Sequence, residues 1–361
     1  MKLQSFDQFM EQSLYCPNAG YYDREIPVMG HTGDFLTSPH LSPLVAQSLA
    51  YQFAHLYRED SSVSIVEFGG GTGKLAFDLL TTLQTLGIVT IRYFLVEKTN
   101  ASILWQEKTL APFLPQITWC KYHELDSIEL PPNAMVVFHE VLDAFPAKRA
   151  LRTDDGVLEQ YMQESSPGIW TAIFAEASRE LAEASQIKNG ELLNAIPEGN
   201  EFELRINLAH TLNVLLRKIT HAHLVIIDYG EPATFYYRQD RLYGTLKFFP
   251  PHYNLAKLPF GKCDISVDVN FSEVAEALQS IGYTIEMFLP QGMWLLEHCF
   301  SSKAPSVSHT NLFEQVKYRT SSVYLVSPSG MGDQFKVLIA NKNISTPWLD
   351  RFARYDCSER L

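Results

Sequence analysis

Residues 64–73 read Ser-Ile-Val-Glu-Phe-Gly-Gly-Gly-Thr-Gly, a short apolar run carrying one acid and then glycines at the alternate positions 69, 71 and 73. Glycine enters left-handed backbone without steric cost, so a strand that ends in such a turn brings bare backbone close to a ligand. A helix that follows offers its unpaired N–H groups to the same ligand. A glycine-rich surface turn is the plainer alternative, but it does not account for three alternating glycines placed directly after a buried-type strand.

Spacing separates the ligand classes. The dinucleotide pattern G-x-G-x-x-G, counted from Gly69, needs glycine at 74, where the chain has Lys74. The phosphate loop G-x-x-x-x-G-K-[ST], ending on Gly73-Lys74, needs glycine at 68 and Ser or Thr at 75, where Phe68 and Leu75 stand. What remains is E-x-G-x-G-x-G over Glu67–Gly73, which resembles the first motif of S-adenosylmethionine-dependent methyltransferases.

A second acid supports a cofactor site. Leu75, Leu79, Leu80, Leu83 and Leu86 recur at helical spacing after the turn, and Ile91 to Val96 then forms an apolar strand that ends at Glu97. Strand, turn, helix, strand and acid make a βαβ unit. A carboxylate at that second strand end is placed to accept both hydroxyls of a ribose.

The same pattern continues along the chain. Ala134 to Phe138 is an apolar strand leading into His139-Glu140-Val141-Leu142-Asp143-Ala144-Phe145-Pro146, and Leu224 to Ile227 leads into Asp228-Tyr229-Gly230. Continuous apolar strands with polar carboxyl ends are those of a parallel sheet covered on both faces, whose ligands sit beyond the strand ends. Glu97, the 139–146 segment and Asp228 are therefore expected around one site. Tyr283 to Phe288 and Phe335 to Ala340 are expected to close the sheet as antiparallel partners.

The expected organisation is an N-terminal segment over the cofactor site (1–45), the first half of an α/β core (46–150), an insertion (151–200), a core helix and strand (201–230), an aromatic, loop-dominated insertion (231–270) and the C-terminal part of the core (271–361). Within the first insertion Val157 to Met162 and Trp170 to Phe174 read as hairpin strands, followed by a helix from Ala175 to Ile187. Residues 201–220 read as one helix.

With 361 residues, 46% of them hydrophobic, the chain is long enough for a sizeable core. Its net charge of −12 argues against a general nucleic-acid binder and suits a cationic substrate. Cys16, Cys120, Cys263, Cys299 and Cys357 include no C-x-x-C pair and read as reduced thiols. His139-Glu140-Val141-Leu142-Asp143 departs from the metalloprotease pattern H-E-x-x-H at its last residue, so no metal is expected. His221 and His223 read as surface residues. Neither a membrane span nor an export or import signal is visible, and the expected location is bacterial cytoplasm, or the mitochondrial matrix if an import signal is missing from this chain.

Several segments together resemble one family, the MidA-type proteins, the methyltransferase group that includes mitochondrial complex I assembly factor seven. They are Tyr15-Cys16-Pro17-Asn18-Ala19-Gly20-Tyr21-Tyr22, Gly33-Asp34-Phe35-Leu36-Thr37-Ser38-Pro39, Glu67 to Gly73, His139 to Pro146, Asp228-Tyr229-Gly230, Gly244-Thr245-Leu246 and Asp264-Ile265-Ser266. Two positions depart from that family. Gly70 stands where the family has Pro, which is expected to loosen the turn, and His139 stands where it has Asn.

The resemblance implies a Rossmann-like class I methyltransferase with a mostly parallel seven-stranded sheet, an antiparallel last strand and insertions. It implies S-adenosyl-L-methionine as cofactor and an arginine-containing protein as substrate, in the setting of respiratory complex assembly. Glu67, Gly69, Gly71, Gly73 and Glu97 are the expected cofactor residues, with Gly33, Asp34 and Phe35 folding over the pocket and Asp34 pairing the methionyl ammonium. Glu140 and Asp143, with His139 beside them, are the expected catalytic residues, gripping two N–H groups of a guanidinium. The structural alternative has Glu140 on the cofactor and Asp143 capping a following helix. A non-catalytic scaffold that keeps the cofactor is the second functional reading.

Overall fold

The computed structural model describes residues 3–30, 33, 34, 36–186, 196–301 and 312–361. Its central feature is a mixed α/β sheet. Seven strands, numbered here in chain order, are β1 (Ser64–Phe68), β2 (Tyr93–Glu97), β3 (Ile117–Lys121), β4 (Asn133–His139), β5 (His221–Glu231), β6 (Thr284–Pro290) and β7 (Phe335–Lys342). They lie side by side in the order β6-β7-β5-β4-β1-β2-β3. An eighth, two-residue strand, Val269–Asn270, pairs parallel with the end of β5. The pairs from β3 through to β5 are parallel, and β7 runs against both β5 and β6.

Alternation along each strand explains why the sheet is buried on both faces. Ile65, Leu95, Val137 and Ile227 point into one apolar layer, shared with Leu49 and Phe53 of helix Leu44–Glu59 and Leu79 and Leu83 of helix Lys74–Thr85. Val66, Phe68, Val136, Phe138 and Ile226 point into the other, against Leu212 and Leu215 of helix Leu208–Leu216 and Val274 and Leu278 of helix Phe271–Ser280. The period of two divides each apolar run between both layers.

The chain winds from β1 out to β3 on one side and from β4 to β5 on the other. The direction reverses between β1 and β4, and a crevice opens beyond their carboxyl ends.

A second, antiparallel sheet carries Lys148–Thr153, Gly156–Ser166, Ile169–Glu176, Glu201–Leu204, Leu258–Pro259 and Leu3–Ser5. Helix Phe6–Tyr15 buries Phe6, Phe9 and Leu14 in a third apolar cluster with Trp170 and Ile265. Two expectations need correction here, at residues 201–220 and at His223. Residues 201–220 are not one helix, because Glu201–Leu204 pairs as a strand with Lys148–Leu151 and its acids Glu201 and Glu203, on one face, take the buried Arg149 guanidinium. Segment 231–270 is loop-dominated as expected, with a short helix, Ala233–Tyr236, and a two-stranded unit of Lys247–Phe249 with Asp264–Ser266. His223 is buried within β5, where its ring nitrogens bond Gln52 and Asn341. The expected helix from Ala175 is seen as Arg179–Gln186, and its last residue, Ile187, lies outside the described residues. Among the described residues no helix is long and apolar enough to cross a membrane.

Candidate active site

The glycines after β1 have φ of +66° at Gly69, +54° at Gly71 and +81° at Gly73, a conformation that side chains with a Cβ rarely adopt. Space is equally restrictive. A Cβ on Gly71 would stand 2.7 Å from the Met29 sulfur, and one on Gly69 would stand 2.9 Å from a Val141 methyl. Gly73 then caps helix Lys74–Thr85. At Gly70, Leu95 fills the side-chain space, with a Cδ 2.5 Å from where a Cβ would lie.

Glu97 sits at the end of β2, buried, beside this turn. The Gln106 side-chain amide donates both to its carboxylate and to the Gly71 carbonyl, the latter at 3.1 Å, while Trp119 Nε1 donates to Gln106 Oε1 at 2.9 Å. Burial pushes the Glu97 carboxyl up to about 8. Glu67, on the same face of β1 as Ile65, is buried too and accepts from Tyr93 Oη at 2.6 Å, and burial raises it to about 7. Among the described residues neither carboxyl has a cationic partner to offset the loss of hydration.

Two adjoining cavities occupy the crevice. One of about 370 Å³ is lined by Glu67, the turn, His139, Glu140, Asp143 and Asp264 among others. A smaller one of about 70 Å³ runs past Gly69, Gly71 and Glu97 and shares Glu140 with the first. The structure therefore brings Glu67, Gly69, Gly71, Glu97, His139, Glu140 and Asp143 to one place.

Beyond β4, Glu140 has φ +53°, and its amide donates to the Ile227 carbonyl at 2.9 Å. This uncommon backbone for a non-glycine residue turns its carboxylate toward residues 37–40, where Ser38 donates to it twice. Burial lifts Glu140 to about 8. One oxygen of Asp143 accepts from the Tyr229 hydroxyl, while the other is buried without a partner, and burial raises this carboxyl as well. His139 Nε2 is likewise buried and unpartnered, and burial lowers the ring to about 3, so the imidazole is neutral.

The alternative role of Asp143 as a helix cap does not hold, because the segment runs on into strand Lys148–Thr153 with no helix between. Asp228 does not line either cavity. Its carboxylate instead accepts the backbone N–H groups of Val141, Leu142 and Asp143 at 3.0–3.3 Å, which fixes the turn that carries Asp143.

The N-terminal segment reaches the site by other residues than expected. Asp34 lines neither cavity, because its carboxylate is held by the Tyr21 hydroxyl at 2.9 Å and by Arg24 at 3.5 Å. Gly33 lines neither cavity, and Phe35 lies outside the described residues. Tyr22, Met29, Thr37 and His40 supply the wall, and His40 joins Thr37 to Thr72 of the glycine turn at 2.8 and 3.0 Å. Gln106, Tyr229 and Asp264 were not singled out from sequence as site residues. Tyr229 and Asp264 stand in segments already quoted for the resemblance, Asp228-Tyr229-Gly230 and Asp264-Ile265-Ser266, and Gln106 lies on the helix just after Glu97.

Glycine turn, strand-end acid and reversed winding together define an α/β protein with a cofactor crevice at its switch point. Residues 44–289 match the model of the family described as "Putative S-adenosyl-L-methionine-dependent methyltransferase", and the chain belongs to that family. It is a methyltransferase whose cofactor is S-adenosyl-L-methionine.

Among curated relatives, it is similar to the mitochondrial protein arginine methyltransferase NDUFAF7 homolog of Drosophila melanogaster, at 25% identity over 96% of this chain and 83% of the relative. It is similar to the corresponding protein arginine methyltransferase of Danio rerio at 22% identity, over 92% and 82%. Among solved structures, a methyl transferase candidate from Burkholderia thailandensis bound to S-adenosyl-homocysteine superposes with a TM-score of 0.84 at 28% identity, over 99% of this chain and 92% of that one.

Proposed function

We propose that this protein transfers a methyl group from S-adenosylmethionine to an arginine side chain of a protein substrate, on a class I methyltransferase scaffold. In this reading the substrate belongs to the assembly of a respiratory complex, as the family resemblance suggests. The relatives at 25% and 22% identity, both named protein arginine methyltransferases, support the acceptor class.

The crevice fits the cofactor. The turn leaves a cradle that a Cβ on Gly69 or Gly71 would fill, and its backbone approaches the ligand there. Glu97 is placed to accept ribose hydroxyls, with Gln106 holding its carboxylate and the turn in register. Glu67 braces the turn from below through Tyr93. When bound, the cofactor supplies an electrophilic methyl group on a sulfonium, whose thioether leaving group is neutral and needs no acid.

The acceptor side carries the reading. Asp143 Oδ1 and His139 Nε2, on two residues that line the cavity, are buried acceptors without a partner, and a donor would complete them. A guanidinium offers five N–H groups in a plane and a permanent positive charge. Glu140 and Asp143 grip two edges of it, orient one nitrogen toward the methyl group and draw charge onto the others. As the N–C bond forms and the S–C bond breaks, one of these carboxylates takes the proton that the methylated nitrogen loses. His139 accepts from a further N–H.

Glu140→Gln and Asp143→Asn test this. Each is expected to lose transfer to an arginine peptide by about a hundredfold or more while cofactor affinity stays within about twofold. Loss of cofactor binding alone would remove the grip from both residues.

A further inference from the structure

We propose that Asp264 is the third carboxylate of the acceptor pocket, a specificity-determining residue delivered by the 231–270 segment and held in place by Tyr22. The inference rests on the arginine reading of the same cavity and names the group that closes its third side.

Asp264 begins a strand, Asp264–Ser266, whose three residues are all buried and whose register opposite Lys247–Phe249 sets Asp264 across from Phe249. Both strands line the 370 Å³ cavity, so Asp264 stands in the same wall space as Glu140 and Asp143. One oxygen of its carboxylate accepts from the Tyr22 hydroxyl at 2.8 Å. The Tyr22 donor comes from the far end of the chain, and the bond ties the N-terminal segment to this insertion.

Three carboxylates, those of Asp143 and Asp264 buried and that of Glu140 largely so, thus share one cavity, and none of them is ion-paired with a described Lys or Arg. Lys247 lies at the rim, where its Nζ is bound by Asp268 and sits 4.3 Å above the Tyr229 ring. Lone buried carboxylates of this kind cost stability unless a cation completes them. Asp143 Oδ1 and His139 Nε2, on residues that line the same cavity, are buried acceptors without partners, so a donor suits the site. A lysine ammonium has three donors on one point, too few and too compact to span three separated carboxylates and an imidazole. A planar guanidinium reaches more of them at once.

Tyr22 acts as a positioning residue. Its hydroxyl occupies one Asp264 oxygen, and the Ile265 backbone N–H also bonds this carboxylate. Asp143 is likewise held by a tyrosine, Tyr229, on one oxygen, and its other oxygen is without a partner.

The test uses the full chain loaded with S-adenosylhomocysteine and two probes, methylguanidine and methylamine, titrated calorimetrically. Asp264→Asn keeps the shape and an oxygen for Tyr22 while removing the charge. It is expected to weaken methylguanidine by about tenfold or more and to reduce the preference for methylguanidine over methylamine. Affinity for S-adenosylhomocysteine should stay within about twofold, which verifies the fold. Tyr22→Phe should give a smaller loss, and in turnover with an arginine peptide both variants should raise KM more than they lower kcat. Methylguanidine binding by Asp264→Asn equal to wild type, or no methylguanidine binding by wild type, overturns the assignment. An enzyme that methylates arginine in spite of either result keeps the function and loses only the role of Asp264.

Discussion

Ser38 donates its backbone N–H and its hydroxyl to the same carboxylate oxygen of Glu140, at 3.1 and 3.2 Å, across 102 residues of sequence. The bond joins the N-terminal segment to the turn after β4 and holds one Glu140 oxygen while the carboxyl stays buried. Ser38→Ala removes the hydroxyl and keeps the backbone donor. It is expected to lower arginine-peptide transfer about three- to tenfold with cofactor affinity unchanged, as measured by steady-state kinetics and cofactor titration. Unchanged kinetics would show that the hydroxyl contributes nothing to placing Glu140.

Gly71→Ala meets two separate obstacles, a φ of +54° and the Met29 sulfur 2.7 Å from the new Cβ. Cofactor affinity should fall by about tenfold or more. Met29→Ala in the same chain clears the space and leaves the backbone penalty, so the double variant should recover only part of the loss in S-adenosylhomocysteine titration.

Gly70 and Leu95 are coupled by space alone. Gly70→Ala should destabilise the protein by about 1–3 kcal/mol through overpacking against Leu95. Adding Leu95→Ala should make the pair less destabilised than the sum of the single changes, as read in a double-mutant cycle of denaturant unfolding.

Glu97 and Glu140 each carry a carboxyl raised to about 8 by burial. A raised acid keeps its proton in the folded chain after the unfolded chain has lost it, so each contributes stability that is present below about pH 4.5 and is lost as pH rises toward 8. The ligand-free protein should therefore melt lower at pH 8 than at pH 5.5, and Glu97→Gln should flatten the slope. Cofactor affinity should rise over the same range, because the ionised Glu97 is the form that accepts ribose hydroxyls. A melting temperature that increases from pH 5.5 to 8 would contradict the burial argument.

The cofactor half of the site was legible because it is local. Glu67, the three glycines and Glu97 fall within one strand–turn–helix–strand unit, where spacing alone fixes geometry. Glu140 and Asp143 were legible for the same reason, as residues just past an apolar strand. Asp264, Tyr22, Tyr229 and Ser38 were not, since each reaches the site by a contact across 86 or more residues that no periodicity encodes.

Asp34 shows the converse. It lies in a segment that does meet the cavity, but Tyr21 and Arg24 are closer and take its charge. In the fold, the apolar period of β1, β2, β4 and β5 was readable, whereas residues 201–204 were misread because Phe202 and Ile206 also suit a helix. Pairing with Lys148–Leu151 decided for a strand.

The central claim is that the carboxylates beside the glycine turn present a protein arginine to the methyl donor. Wild-type protein and Glu140→Gln, each given methyl-labelled S-adenosylmethionine and a lysate, test it most directly when the labelled residue is identified by mass spectrometry. The account predicts methylarginine with the wild type and little or none with the variant, although the variant still binds S-adenosylhomocysteine. Label on another residue type, or none from a wild type that binds the cofactor tightly, would contradict it.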